Sequence, residues 1–214
     1  MSQTEPTLPE ELLLLALDPQ RGKPYCRNRF LQYGMAGAAL AELELQGRVT
    51  GSRGRVQVTN PLTPPDPLLA QVLATLRAPD KRRFAGGVGT RSWIRRTGRQ
   101  VEGLYLDHLV KYGVLRRETH RFLGLFPYHR HPAGPDSWAP HARSRFAAAE
   151  AAGFPDRRSR LLAGFAAATG LARTIAHGGR PSRAAMRVFV REEWAPQAVH
   201  RNVVQDKSNQ AGGG

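Results

Sequence analysis

Residues 29–46, RFLQYGMAGAALAELELQ, decide the fold class of this chain. Phe30, Leu31, Ala38, Leu40, Leu43 and Leu45 recur at helical spacing, and Gly47 stands where such a helix would be capped. Gly34, Ala36, Gly37 and Ala39 run along the same stretch, and small side chains let a second helix approach closely. The segment therefore reads as a long helix that other helices pack against. After Gly47, RVTGSRGRVQVTN reads as a hairpin, with Val49, Val56 and Val58 pointing inward around a turn at Gly51 and Gly54.

Outward from this centre the pattern stays helical. Toward the N-terminus, Thr7, Leu8, Pro9 and Glu10 form a capping box with proline in the first turn, so residues 10–17 should be a short buried helix that Asp18 and Pro19 end. Toward the C-terminus, a proline-rich connector over 60–67 leads to a helix over 67–76 that Asp66 can cap. Residues 78–90 form a loop rich in charge and glycine. Trp93 and Ile94 begin a short helical segment, 101–112 make a fuller one, and Gly113 stops it. Val114 with Leu115, and then Phe122 through Phe126, read as the strands of a second hairpin. Three alanine-rich helices are predicted over 142–152, 157–169 and 182–193. The expectation is one mainly α domain over 1–200 with small hairpins, followed by a frayed, polar tail over 201–214.

Charge narrows the partners. The 214 residues contain 32 Lys and Arg against 17 Asp and Glu, a formal charge of +15, which favours an anion: nucleic acid, an acidic membrane surface or an acidic protein. The single cysteine, Cys26, excludes an internal disulfide and fits a reducing compartment. The start of the chain lacks the basic opening of a signal peptide, and its apolar run is shorter than the ~20 residues of a membrane span. A cytoplasmic protein, soluble or peripherally attached to membrane, is expected.

Catalytic signatures are missing from the sequence. It holds no Walker sequence, no His-Glu-x-x-His and no Gly-x-Ser-x-Gly, while Gly86, Gly87 and Gly89 follow a charged loop and read as a turn. His129 and His131 would share a strand face, with no nearby cysteine or carboxylate to complete a metal set. Asp107 and His108 adjoin on a helix and so point in different directions. No enzyme, cofactor or metal is expected. More telling is HLVKYGVLRRETHRFLGLFPYHRHP, residues 108–132, where Arg116, Arg117, Arg121 and Arg130 surround Phe122, Leu123, Leu125, Phe126 and Tyr128. An apolar wedge set in a positive field is what a protein needs to rest on an anionic membrane.

LPEELLLLAL, YGMAGAALAELELQGRV, PPDPLLAQVL, LVKYGVL and FLGLFPYHRHP follow one another in an order that resembles the Golgi phosphoprotein 3 family, from about Leu8 to about Leu171. The resemblance implies a helical bundle ringed by amphipathic helices, with two or three small β-hairpins. It also implies a non-enzymatic peripheral adaptor, since the family's eukaryotic members bind phosphatidylinositol 4-phosphate on a basic face and insert an apolar hairpin beside it. Carried over residue by residue, the head-group pocket has Arg27 where the family has tryptophan, keeps an arginine at Arg99, and places Ala36 and Glu102 where the family has arginines. The implied lipid site is Arg27, Arg29, Arg99, Arg121 and Arg130, with Leu125, Phe126 and Tyr128 as the inserting hairpin. Two alternatives stand beside it. One is nucleic-acid binding, for which Arg91, Arg95, Arg96 and Arg99 precede a helix, glycine and hairpin unit resembling part of a winged helix; the other is a scaffold with protein partners.

Overall fold

In the computed structural model, residues 5–77, 87–122 and 125–212 are described. Most of the predicted charged loop, including Gly86, and Leu123 of the predicted hairpin lie outside them. The elements run α1 (Leu8–Ala16), α2 (Asn28–Leu45), β1 (Val49–Ser52), β2 (Arg55–Val58), α3 (Pro67–Arg77), β3 (Val88–Gly89) and α4 (Thr90–Lys111). They continue with β4 (Glu118–Phe122), β5 (Phe126–Arg130), α5 (Ala139–Ala151), α6 (Arg157–Thr169), α7 (Ala172–Ile175), α8 (Gly179–Glu192) and α9 (Trp194–Ala211). The protein is mainly α, with one three-stranded sheet in the order β1-β2-β3 and one two-stranded hairpin, β4-β5.

Helix α2 is the axis of the bundle, touched by α1, α3, α4, α6 and α9. Its small residues are the reason. A Cβ added at Gly37 would stand 2.5 Å from Val199 of α9 and 3.0 Å from Phe165 of α6, and one at Gly34 2.8 Å from Thr169. Across the bundle, Gly98 of α4 comes so close to α2 that a Cβ there would lie 2.9 Å from the Gln32 carbonyl oxygen. Ridges of ordinary side chains would hold these axes apart.

Every residue of α1 is buried, including Glu10 and Glu11. Glu10 accepts from the Thr7 N–H and hydroxyl, both at 2.8 Å, which satisfies the helix start. Arg158 of α6 donates to Glu42 of α2 at 3.0 Å and stands 3.5 Å from Glu11, while Arg145 of α5 stands 3.4 Å from Glu11. These pairs tie four helices together around two buried acids. Burial nevertheless pushes the Glu11 carboxyl above its ordinary range, against the pull of Arg145 and Arg158.

Three sequence expectations are corrected. The two segments predicted around Trp93 and over 101–112 are one helix, α4, continuous through Gly98 because that glycine is its contact with α2. Val114 and Leu115 are not a strand: both are buried where the chain turns, and the hairpin strands begin at Glu118. The predicted frayed tail over 201–214 is helical through Ala211, with Asn202, Val203 and Asp206 buried against the bundle. Ala195, Ala198, Val199 and Val203 give α9 its inner face, and their small size explains the weak sequence signal.

Candidate functional site

The start of α2 and the middle of α4 lie side by side, which brings three of the predicted head-group residues into one region, while Arg121 and Arg130 lie apart on the β4-β5 hairpin. Arg27, Arg29 and Arg99 are exposed, with Glu102 buried beneath them. Gln32 donates to Glu102 at 2.9 Å. Burial raises the pKa of Glu102, offset by hydrogen bonds from Gln32 and Asn28 and by the nearby charge of Arg99. Cys26 lies in the same place, and burial pushes its thiol up to about 12. A reactive thiolate is thereby disfavoured. Ala36 does not belong here: it is 0% exposed inside α2, so this position cannot offer a side chain to a surface pocket and the sequence-based assignment is corrected.

A second group of residues escaped the sequence reading. Asp206 of α9, its side chain 8% exposed, accepts from Arg29 Nε at 2.6 Å, from the Tyr33 hydroxyl at 2.9 Å and from Arg95 at 3.2 Å. Arg29 Nε also reaches the Tyr33 oxygen at 2.7 Å, so the guanidinium is held against the ring while its side chain stays 59% exposed. Arg27 bonds Gln210 of α9, and both Arg27 and Lys207 lie over the Phe30 ring at 5.6 Å. The outcome is a basic face of Arg27, Arg29, Arg95, Arg99 and Lys207, in which the buried Asp206 carboxylate holds Arg29 and Arg95. The signal in the sequence was the i, i+3, i+4 spacing of Val199, Asn202, Val203 and Asp206.

The β4-β5 hairpin differs in kind. In the backbone register Phe122 pairs with Phe126 next to the turn; His120 with Tyr128 and Glu118 with Arg130 share one face, and Arg121 pairs with Pro127 on the other. Leu125 at the tip is 77% exposed and Tyr128 is 37% exposed. The Phe126 backbone lies in β5, while its side chain is outside the described residues. Arg130 donates to the Tyr128 hydroxyl at 3.1 Å and sits over that ring, and the His120 ring stacks on Tyr128 at 5.5 Å.

At its base the hairpin is fastened to the α1–α2 loop by His131 N–H to Gly22 at 3.2 Å and Ala133 N–H to Pro19 at 2.8 Å. Gly22 has φ +62°, and a Cβ there would meet His131 N at 2.4 Å, so only glycine fits. That loop then delivers Arg27 at the start of α2. Hairpin and basic face are thus anchored through one short segment.

Among the described residues, no helix is long and apolar enough to cross a membrane, and no three His, Cys, Asp or Glu side chains are grouped to hold a metal ion. His129 is exposed on β5, His108 faces Glu10 at 3.6 Å, and Asp107 pairs with Arg117, so the histidines and acids noted in the sequence are dispersed. No curated protein matches the chain. The sequence model of one family, Golgi phosphoprotein 3 (GPP34), matches residues 8–205, which takes in every helix from α1 and most of α9. With its α2 axis, its basic face and its exposed hairpin, the chain belongs to the Golgi phosphoprotein 3 family.

Proposed function

We propose that this protein is a non-enzymatic peripheral membrane protein that binds anionic phospholipid on the cytoplasmic side. The observation that carries this reading is Leu125, 77% exposed at the tip of a hairpin whose other side chains include Tyr128, Arg121 and Arg130. An apolar residue so placed gains nothing from folding and can gain from entering an acyl boundary. Behind it, Arg27, Arg29, Arg95, Arg99 and Lys207 form a field for head groups. Each basic side chain near an anionic bilayer is worth ~1 kcal/mol, so five supply useful, salt-sensitive attachment without a shaped pocket.

Family membership supports the reading, and the details argue for weak selectivity. Phosphatidylinositol 4-phosphate would meet Arg99 but also the Glu102 carboxylate, and Ala36 contributes nothing at the surface. The protein therefore responds to surface charge more than to one head group. Nucleic acid is the second reading, favoured by Arg91, Arg95, Arg96 and Arg99 exposed along one helix.

Liposome co-sedimentation across head groups of equal charge, at rising salt and with duplex DNA as competitor, tests both. Binding that follows anionic charge, resists DNA and keeps a salt-insensitive remainder is expected. Loss of all binding at high salt together with displacement by DNA would overturn the membrane reading.

A further inference from the structure

Helix α8, GRPSRAAMRVFVRE, has an outer face that the fold does not use. It packs on α6, α7 and α9 through Met186 and Val190, which are buried, and through Phe189, whose ring meets Phe154 edge-on at 5.7 Å. On the side turned from these contacts, Arg180, Arg183, Arg187 and Arg191 follow one another at intervals of three or four residues and so form one row along the helix. Arg180, Arg187 and Arg191 are exposed and Arg183 is half-buried. At ~1.5 Å per residue the row is about 16 Å long. Beside it, Ala184 and Val188 lie one turn apart, flanked by Pro181 and Ala185, and all four are exposed.

The charge of this row is not balanced within the described residues. On the neighbouring α6, Arg157 meets Glu44 at 2.6 Å and Glu193 at 3.2 Å, and Arg158 meets Glu42 at 3.0 Å. Among the described residues none of the four arginines of α8 has such an ion pair or a side-chain hydrogen bond, and the one acid of the helix, Glu192, is its last residue. Like charges a turn apart repel, so a partner that brings carboxylates to the row relieves a cost that folding leaves in place. The row also stands apart from the basic face. That face is built on α2, α4 and the last turns of α9, whereas α8 leads into Trp194, at the other end of α9 from Lys207.

We propose that the outer face of α8 docks an acidic amphipathic helix of a partner protein. A helix with Glu or Asp at i, i+4, i+7 and i+11 has the same rise as the arginine row, so carboxylate and guanidinium meet one for one, a pairing that arginine makes in bidentate form. Its apolar stripe lies on Ala184, Ala185 and Val188, whose small size lets the two axes approach. The apolar strip decides for this class. A phosphate backbone makes no use of Pro181, Ala184 and Val188, and a helix lying in a bilayer interface needs large apolar side chains that this strip lacks. The surface is independent of the membrane reading, and both can be occupied at once.

Fluorescence anisotropy of the full chain with a labelled, end-capped peptide of about 18 residues, long enough to hold a helix, is the test. The peptide carries Glu at i, i+4, i+7 and i+11 with Ala and Leu on the adjoining face; the control has the same composition with its Glu residues spread round the helix. At about 150 mM salt, which screens loose attraction, saturable binding at least tenfold tighter than that of the control is expected. Arg187→Glu with Arg191→Glu should abolish the preference, and Ala184→Trp, which adds bulk without charge, should weaken binding by about tenfold. Circular dichroism checks that the variants fold; if the charge reversal does not, Arg187→Gln, expected to weaken binding about threefold, takes its place. Equal affinity for the two peptides, no effect of Ala184→Trp, or displacement of the peptide by equimolar duplex DNA overturns the proposal. So does a tenfold loss of anionic-liposome binding on charge reversal at the same salt, which would make α8 part of the membrane face.

Discussion

The basic face and the hairpin meet the same loop, yet they are built on opposite terms. On the basic face, charge is fixed from within: Asp206, almost fully buried, draws Arg29, Arg95 and Tyr33 to it and so sets where the cations point. In the hairpin the one ion pair to the helices among the described residues is made at its stem, where Arg117 meets the exposed Asp107 of α4. Its residues from Arg116 to Arg121 are exposed or half-exposed, and Leu125 stands in water. One region obtains its geometry from the core, the other from strand pairing and from attachments at its stem, to Gly22, Pro19 and Asp107. Mutations on the first should therefore register in stability before binding, and mutations on the second in binding alone.

The largest expected effect follows from Ala36→Arg. At a fully buried position on the bundle's axis, the new side chain finds neither room nor a partner carboxylate, and the domain should lose at least ~4 kcal/mol. Urea denaturation checks it. A stable variant with sharper preference for phosphatidylinositol 4-phosphate would show that α2 is rotated from the arrangement described and that Ala36 borders the head-group face.

Asp206→Ala comes next. It strips three donors of their shared acceptor and should cost about 3 kcal/mol, with Asp206→Asn milder because an amide oxygen can still accept. The freed arginines add net positive charge, so low-salt liposome binding of the folded fraction should rise. Equal stability of Asp206→Ala and the parent chain would erase the contrast between the two regions.

What the sequence disclosed follows the same division. Helices with explicit ends were readable: Thr7 and Glu10 start α1, and Asp66 starts α3, where its side chain accepts from the Leu68 and Leu69 N–H groups at 2.7 and 2.8 Å. Helix α9 has none of these signals, and its inward face of alanine and valine is diluted by polar residues. Strands β4 and β5 were displaced in the reading because alternation appears only when one face is buried, and here residues 118–121 are exposed or half-exposed. The adjacent Val114 and Leu115 carried the apolar signal because they pack on the body. At the site, Arg27, Arg29, Arg95 and Arg99 were legible as cations, but Asp206, and its pairing with Arg29 and Arg95, required knowing that α9 folds back onto α2 and α4.

Leu125→Ser probes the hairpin side of the comparison. An exposed tip residue should change stability by less than ~0.5 kcal/mol. If the leucine enters the bilayer, the loss of its transfer energy, ~1.5–3 kcal/mol for a full burial, should lower binding that survives at high salt by about tenfold or more. Because the Debye length is ~10 Å at 0.1 M, salt removes the contribution of the basic face and isolates that of the wedge. Co-sedimentation at two ionic strengths measures both. Unchanged high-salt binding would transfer the whole attachment to the arginines.

Glu102→Gln is the smallest effect and the most diagnostic in sign. Burial lifts the folded-state pKa of Glu102 above its ordinary 4.5, so the native protein holds this proton more tightly than the unfolded chain. Ionising it therefore costs stability: the penalty is absent below the ordinary value, grows as pH rises through the window up to the folded value, and is complete above it. Glutamine keeps the size and a hydrogen-bonding group toward Gln32 and Asn28 while removing the charge. The variant should equal the parent at pH 4 and exceed it slightly at pH 7, and part of the pH dependence should persist because Glu11 is shifted in the same direction. At the head-group face the same change removes a negative charge beneath Arg99, so binding to anionic liposomes should strengthen about twofold at low salt. Denaturation curves at the two pH values and one low-salt sedimentation series decide it. A variant less stable than the parent at pH 7 would mean that ionised Glu102 is a paired structural carboxylate, and the basic face would then be held from beneath by two acids, Glu102 as well as Asp206.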